Sequence, residues 1–150
     1  HSHTGNTNLV AEKVRDELER QGHEVAFHRL AIAGGWKQGI REIRLEAPPD
    51  AGAYEGLVLG SPVEGMTLSP VMKTYLEGVG TLKGKKVALL VTQHFKSSSL
   101  GGNRAVRYME KACSERGADV RASAIVNWTN KRREQQIEEA ARRLPGAFEG

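Results

Sequence analysis

Six of the first seven residues, HSHTGNT, carry a side chain that can donate a hydrogen bond, and the remaining one is Gly5. Directly behind them, NLVAEKVRDELERQG begins a helical pattern, so the loop sits at a helix amino terminus. Amides at such an end are unpaired and carry about half a positive charge, which stabilises an anion. Ser2, Thr4, Asn6 and Thr7 add hydroxyl and amide donors, and Gly5 allows a tight turn and close backbone approach. The sum is a cradle for a phosphate monoester, built without Lys or Arg. It is not a Walker loop, which needs a GK[ST] ending, nor a dinucleotide fingerprint, which needs GxGxxG spacing. On residue types alone, a polar loop that only caps a helix explains the stretch equally well.

Other chemistries find less support. No G-x-S-x-G elbow occurs and no Cys–His pair follows from spacing, so no catalytic residue is assigned. His1-Ser2-His3 would chelate Cu(II) or Ni(II) only through a free terminal amine, and His28 and His94 lack ligand-spaced companions; no metal site is expected. The single cysteine, Cys113, lies in the helical pattern AVRYMEKACSERG and reads as a buried structural thiol, compatible with a reducing cytoplasm. The net charge of +4 invites a nucleic-acid reading. However, basic and acidic residues interleave in REIRLE and KRREQQIEEAARR, and aromatic residues make up only 5%. Solvated helix faces explain this better than a binding stripe, and no nucleic-acid partner is expected. No apolar run approaches the roughly 20 residues of a membrane helix, so no membrane partner is expected either.

The elements that must position the loop alternate. Val10, Val14 and Leu18 share one face of a first helix capped by Asn6 or Thr7 and ended by Gly22. HEVAFHRL (23–30) predicts a strand, and AIAGGWKQGIREIRLEAPPD a long connection with a short helix around Ile40 to Leu45. YEGLVLG predicts a strand covered on both faces. Ser69 and Pro70 start a second helix as N-cap and first residue. KKVALLVT predicts a buried strand, NRAVRYMEKACSERG a helix ending at Gly117, and VRASAIVNW a further strand. The last helix, NKRREQQIEEAARRL, turns Ile137, Ala140, Ala141 and Leu144 inward and stops at Pro145. This rhythm predicts one α/β domain over residues 1–150, with a parallel sheet and helices on both faces. In such sheets ligands sit beyond the strands' carboxyl ends. The loops HSHTGNT, SPVEGMTLS and TQHFKSSSLGG would therefore share one edge.

S-H-T-G-N-T resembles the flavodoxin phosphate loop, [ST]-x-T-G-N-[ST], at every fixed position. YEGLVLGSPVEGMTLSPVMKTYLE looks like that family's third strand, first flavin loop and following helix, and KKVALLVTQHF like its fourth strand and second flavin loop. The resemblance covers nearly the whole chain and implies a flavodoxin-like three-layer sandwich, sheet order 2-1-3-4-5. The cofactor implied is flavin mononucleotide (FMN). Ser2, His3, Thr4, Gly5, Asn6 and Thr7 would hold its phosphate. Ser61, Pro62, Val63, Glu64 and Gly65 would face one side of the ring system, and Thr92, Gln93, His94, Phe95 and Gly101 would border the other edge. Gly65, free to take either sign of φ, is where a peptide flip beside the ring would tune its potential.

Three departures qualify the transfer. The first flavin loop has no aromatic residue and the second offers only His94 and Phe95; Trp36 and Trp128 are candidate ring partners from other loops, although a Trp is more often a packing residue. Electron-shuttling flavodoxins are typically acidic, whereas this chain is basic. Above all, the family's apolar first strand, central in the sheet, is missing before the phosphate loop. Strands 2 and 3 would then lie two spacings apart, about 9–10 Å, with unpaired backbone on both sides. An upstream start is the favoured explanation; a strand from another chain, as in a homodimer, or direct pairing of strands 2 and 3 are the others. The expected function is FMN-dependent electron transfer to a redox partner protein. The alternatives are an NAD(P)H- or quinone-dependent FMN oxidoreductase and a flavin-free interaction module.

Overall fold

A left-handed glycine sets the first helix. Gly5 takes φ +91° as N-cap, and α1 (Asn6–Arg20) follows with Val10, Val14 and Leu18 buried on one face. Asn6 and Thr7, expected as caps, are instead the first two helical residues, because Gly5 makes the turn ahead of them. Gly22, at φ +93°, ends the helix: its N–H bonds the Glu19 carbonyl and His23 N–H bonds the Leu18 carbonyl, a Schellman pair. The computed structural model describes residues 1–2, 4–37 and 40–150.

Beyond α1 the expected strand over 23–30 does not form. No strand pairs with it among the described residues, and an extended segment without a ladder partner is not a strand. A two-residue antiparallel pair follows, β1 (Ala31–Ile32) with β2 (Leu45–Glu46). The helix expected around Ile40 to Leu45 is absent from the described residues, and Leu45 is in β2.

The main sheet is built from β3 (Gly56–Glu64), β4 (Thr67–Leu68), β5 (Lys86–Gln93) and β6 (Asp119–Asn127), in the order β4-β3-β5-β6. β3, β5 and β6 are parallel, and β4 folds back antiparallel on the end of β3. Between them lie α2 (Pro70–Gly78), α3 (Gly102–Glu115) and, last, α4 (Arg133–Arg143). Ser69 caps α2 as expected, its Oγ accepting the Val71 N–H at 3.3 Å, with Pro70 in the first turn. Gly117 closes α3 with a second Schellman pair, Ala118 N–H to Cys113 carbonyl and Gly117 N–H to Ser114 carbonyl.

Central β5 shows why the core has two halves. Side chains alternate across a strand, so Val87, Leu89 and Val91 enter one apolar cluster with Met72, Leu76, Met109 and Cys113 of α2 and α3. Ala88 and Leu90 enter the other, with Val10, Val14, Ile137 and Ala140 of α1 and α4. Helices therefore cover both faces, giving the three layers expected. Burying a Leu or Val fully contributes roughly 1.5–3 kcal/mol each, so β5 anchors both halves. A continuous apolar run is what such a strand requires.

Candidate functional site

Because β3, β5 and β6 are parallel, their carboxyl ends form one edge, and the amino end of α1 faces the same edge through the Thr7 side chain. Thr7 is buried, and its hydroxyl lies 2.7 Å from that of Thr92 near the end of β5. This bond ties the α1 loop to the sheet. It also means that Thr7 offers a ligand its backbone N–H rather than its hydroxyl.

Within the loop, Ser2 Oγ accepts the Gly5 N–H at 3.1 Å and the Asn8 N–H at 3.2 Å. A neutral hydroxyl oxygen thus occupies the position of an acceptor at the helix terminus, where the helix dipole favours an anion. Thr4 and Gly5 are exposed and Asn6 is half-buried, so all three are open to a ligand. His3 lies outside the described residues. Asn8, not singled out from sequence, supplies one of the two amides and anchors α1 through Asn8 Nδ2 to Glu12 Oε1 at 3.1 Å. Its place in the first helical turn was the available signal.

The loop after β3 is more ordered than its composition suggests. Ser61, Pro62, Val63 and Glu64 belong to β3, and Gly65–Met66 form a two-residue turn into β4 at φ +60° and +66°. Two successive positive φ values match the hairpin turns that suit strand twist. Ser61 is fully buried, its hydroxyl donating to the Pro62 carbonyl at 3.0 Å. Glu64 Oε2 accepts the Ser69 hydroxyl at 2.8 Å, which directs this carboxylate toward the start of α2. Its Oε1 lies 4.0 Å from His1 Nε2.

Gln93 proves to be a pin for the second loop. Its Oε1 accepts the Gly102 N–H at 3.0 Å, and its Nε2 donates to the Ser97 carbonyl at 2.6 Å and to Asn127 Oδ1. The loop after β6, which carried no motif in the sequence, completes the brace: the Thr129 hydroxyl bonds the His94 carbonyl at 2.7 Å, and Asn130 Nδ2 the Lys96 carbonyl at 2.9 Å. His94 and Phe95 project outward, with ring centroids 6.2 Å apart in an edge-on arrangement. Trp128 packs against the α1–α4 core under the Arg133 guanidinium, 5.1 Å from its ring centre, in keeping with a packing role. Trp36 is 65% exposed on the long connection.

The β3–β4 hairpin and the 94–101 loop touch at Gly101. It takes φ +117°, and a Cβ there would stand 2.8 Å from Val63 Cγ1 and 2.9 Å from the Met66 carbonyl carbon. Only glycine allows that approach. Around this junction Met66, Phe95 and Leu100 are each exposed, so half of the six exposed large apolar side chains among the described residues fall on these two loops. Exposed apolar groups concentrated beside a polar cradle suit an amphipathic ligand. The structure thus brings the α1 loop, the β3–β4 hairpin and the 94–101 loop to one edge, and turns Thr7, Ser61, Thr92 and Gln93 inward as its supports.

No protein-family model and no curated protein matches the chain. Solved structures do match. Oxidised flavodoxin 2 from Bacillus cereus superposes with a TM-score of 0.69 at 22% identity, covering 99% of this chain and 92% of that one. The fold is flavodoxin-like. A Fusobacterium nucleatum flavodoxin mutant bound to flavin mononucleotide gives 0.64 at 15% identity, over 99% and 93% of the two chains. The azoreductase AzrA gives 0.60 at 17%, over 95% and 93%. Flavodoxins and an azoreductase thus share this frame, and function has to be argued from the site.

Proposed function

We propose that the chain binds FMN non-covalently at this edge and acts as an electron-transfer protein. The observation that carries the reading is the Ser2 hydroxyl held by the Gly5 and Asn8 amides, a ready-made acceptor site at the start of α1. The backbone amides at the start of α1, with the Ser2 and Thr4 hydroxyls and the Asn6 side chain, would hold the phosphate. The Gly65–Met66 hairpin and the Phe95–Leu100 loop would flank the ring with apolar atoms. When bound, the flavin supplies the reversible electron transfer, while the protein supplies position and electrostatics. Backbone amides near the ring would favour added negative charge there, and the apolar rim would keep water from it. The buried, unpaired Cys113 agrees with a reducing, cytoplasmic setting; no helix among the described residues is long and apolar enough to cross a membrane.

The second reading, an NAD(P)H- or quinone-dependent reductase, draws support from a hollow of about 220 Å³ bordered by Met66, Ser99, Arg104 and Arg107. Two guanidinium groups beside the ring-side loops suit a charged co-substrate.

Titrating the flavin-free protein with FMN tests the first step: perturbed flavin absorbance and quenched fluorescence are expected. A protein that leaves the flavin spectrum unchanged would be an interaction module instead. With flavin bound, steady NADPH oxidation in the presence of a quinone would select the reductase over the carrier.

A further inference from the structure

The excess positive charge belongs to one part of the chain. Residues 65–109 hold seven Lys or Arg and one carboxylate, Glu77, a net of +6, so the other 105 residues net −2. Lys83, Lys85 and Lys86 sit around the start of β5, at the sheet's other end. Lys73 of α2, Lys96 of the 94–101 loop, and Arg104 and Arg107 of α3 lie by the candidate edge.

Local stability does not explain the two arginines. Neither α2 nor α3 has an acidic residue in its first turn, and Arg104 stands in that turn of α3, where the helix dipole disfavours a cation. Among the described residues, neither Arg104 nor Arg107 has a hydrogen bond or an ion pair, and both are exposed. Arg104, Arg107, Tyr108 and Lys111 recur at helical spacing and form one exposed stripe. Lys73 reaches over from α2, its ammonium 5.1 Å from the Tyr108 ring centre. The acidic residues of the two helices, Glu77, Glu110 and Glu115, lie in their second halves, farther from the edge; Glu115 pairs with Lys111 at 3.9 Å. Where the stripe meets the edge, Met66 and Leu100 are exposed.

We infer, resting on the electron-carrier reading above, that this stripe, headed by Met66 and Leu100, is the docking face for an acidic protein. An electron partner has to reach the flavin edge, and this face adjoins it. The cations would steer the encounter. Arg, Tyr and Met are residue types enriched where proteins meet, and here they share one patch. The hollow bordered by Met66, Ser99, Arg104 and Arg107 holds about 220 Å³, short of the roughly 300 Å³ at which small-molecule sites begin. It seats one carboxylate side chain rather than a whole dinucleotide. Tyr108 is the stripe's one ring and already carries the Lys73 ammonium, a poor platform for stacked bases.

The test titrates the flavin-free chain with an acidic plant-type ferredoxin and maps amide shifts by NMR. At about 50 mM ionic strength the shifts should centre on Met66, Leu100, Arg104, Arg107 and Tyr108. Reversing both arginines, Arg104→Glu with Arg107→Glu, should weaken binding at least about tenfold. That contrast should fade at about 500 mM, where charges are screened beyond about 4 Å. Arg142→Glu with Arg143→Glu changes two exposed residues of α4 by the same net charge and should stay within about twofold of the parent. No ferredoxin binding, equal losses in the two variants, or shifts spread over the whole surface would overturn the inference. So would tighter binding of NADPH, of a short single-stranded DNA or of anionic vesicles than of ferredoxin, which would reassign the stripe. The footprint needs no flavin, so failure of FMN binding and failure of docking are read separately.

Discussion

Replacing Gly101 by alanine tests whether the two ring-side loops are one mechanical unit. The new Cβ would meet the Met66 carbonyl carbon at 2.9 Å and Val63 Cγ1 at 2.8 Å. Carbon atoms prefer about 3.5–4.0 Å, so the hairpin or the loop must move by roughly 0.6 Å or more. Forcing such a shift costs typically about 1–3 kcal/mol, and holding a non-glycine residue at positive φ adds about 1–2 kcal/mol. The expected loss is therefore about 2–5 kcal/mol, or roughly 5–15 °C in melting temperature for a chain of this size. Gly65→Ala is the control. Gly65 also has positive φ, but no atom lies within 4 Å of the position its new methyl group would take, so only the backbone cost of about 1–2 kcal/mol applies. Urea unfolding followed by far-UV circular dichroism, with the m-value checked for constancy, reads both. Flavin titration should show Gly101→Ala at least about tenfold weaker than the parent chain, about 1.4 kcal/mol. Equal stability of the two variants would refute the close approach on which the joined site depends.

Three further outcomes follow from the same geometry. Thr7→Val and Thr92→Val, combined in a double-mutant cycle by urea unfolding, should give a coupling of about 1 kcal/mol, and additivity would mean the buried hydroxyl pair holds nothing. Gln93→Ala leaves the buried Gly102 N–H without its acceptor and removes the Gln93 amide from the Ser97 carbonyl and Asn127 Oδ1; a loss of about 2–3 kcal/mol and faster amide exchange over residues 97–102 are expected, and unchanged exchange would deny the pin. Burial pushes the Cys113 thiol from 9.0 up to about 11, only partly opposed by Arg116, and burial likewise raises the Tyr75 phenol. The fold thus favours their neutral forms, so the thiol's contribution is intact below about pH 9 and lost between about pH 9 and 11. Native Cys113 should resist thiol reagents at about pH 8 until urea is added.

The sheet strands β5 and β6 and all four helices were legible because their periodicities are strong and their stops are glycines or prolines with a clear backbone reason. Gly22 and Gly117 close Schellman motifs, and Ser69–Pro70 opens α2. Loop chemistry was legible at the level of which segments meet, but not of which way each side chain turns. Thr7, Ser61, Thr92 and Gln93 carry polar groups that looked available to a ligand, and each is satisfied internally. That follows from long-range pairing, which local sequence does not encode. The 23–30 segment failed for a related reason: its pattern suits a strand, but strand formation needs a neighbour's backbone, and none is supplied among the described residues. Met66 and Leu100 escaped notice as single apolar residues inside polar loops, although an apolar residue at a turn tip is a usable sign of a ligand-facing rim.

The central claim, that the start of α1 holds the phosphate of a flavin nucleotide, is most directly tested by titrating the protein with FMN and with riboflavin and comparing dissociation constants. The two differ only in the phosphate, and charge-assisted bonds to backbone amides contribute about 1.5–3 kcal/mol each. FMN should therefore bind at least about 100-fold more tightly, and replacing Ser2 with alanine should leave that preference in place because the amides remain. Equal affinity for the two flavins, or no binding of either, would contradict it.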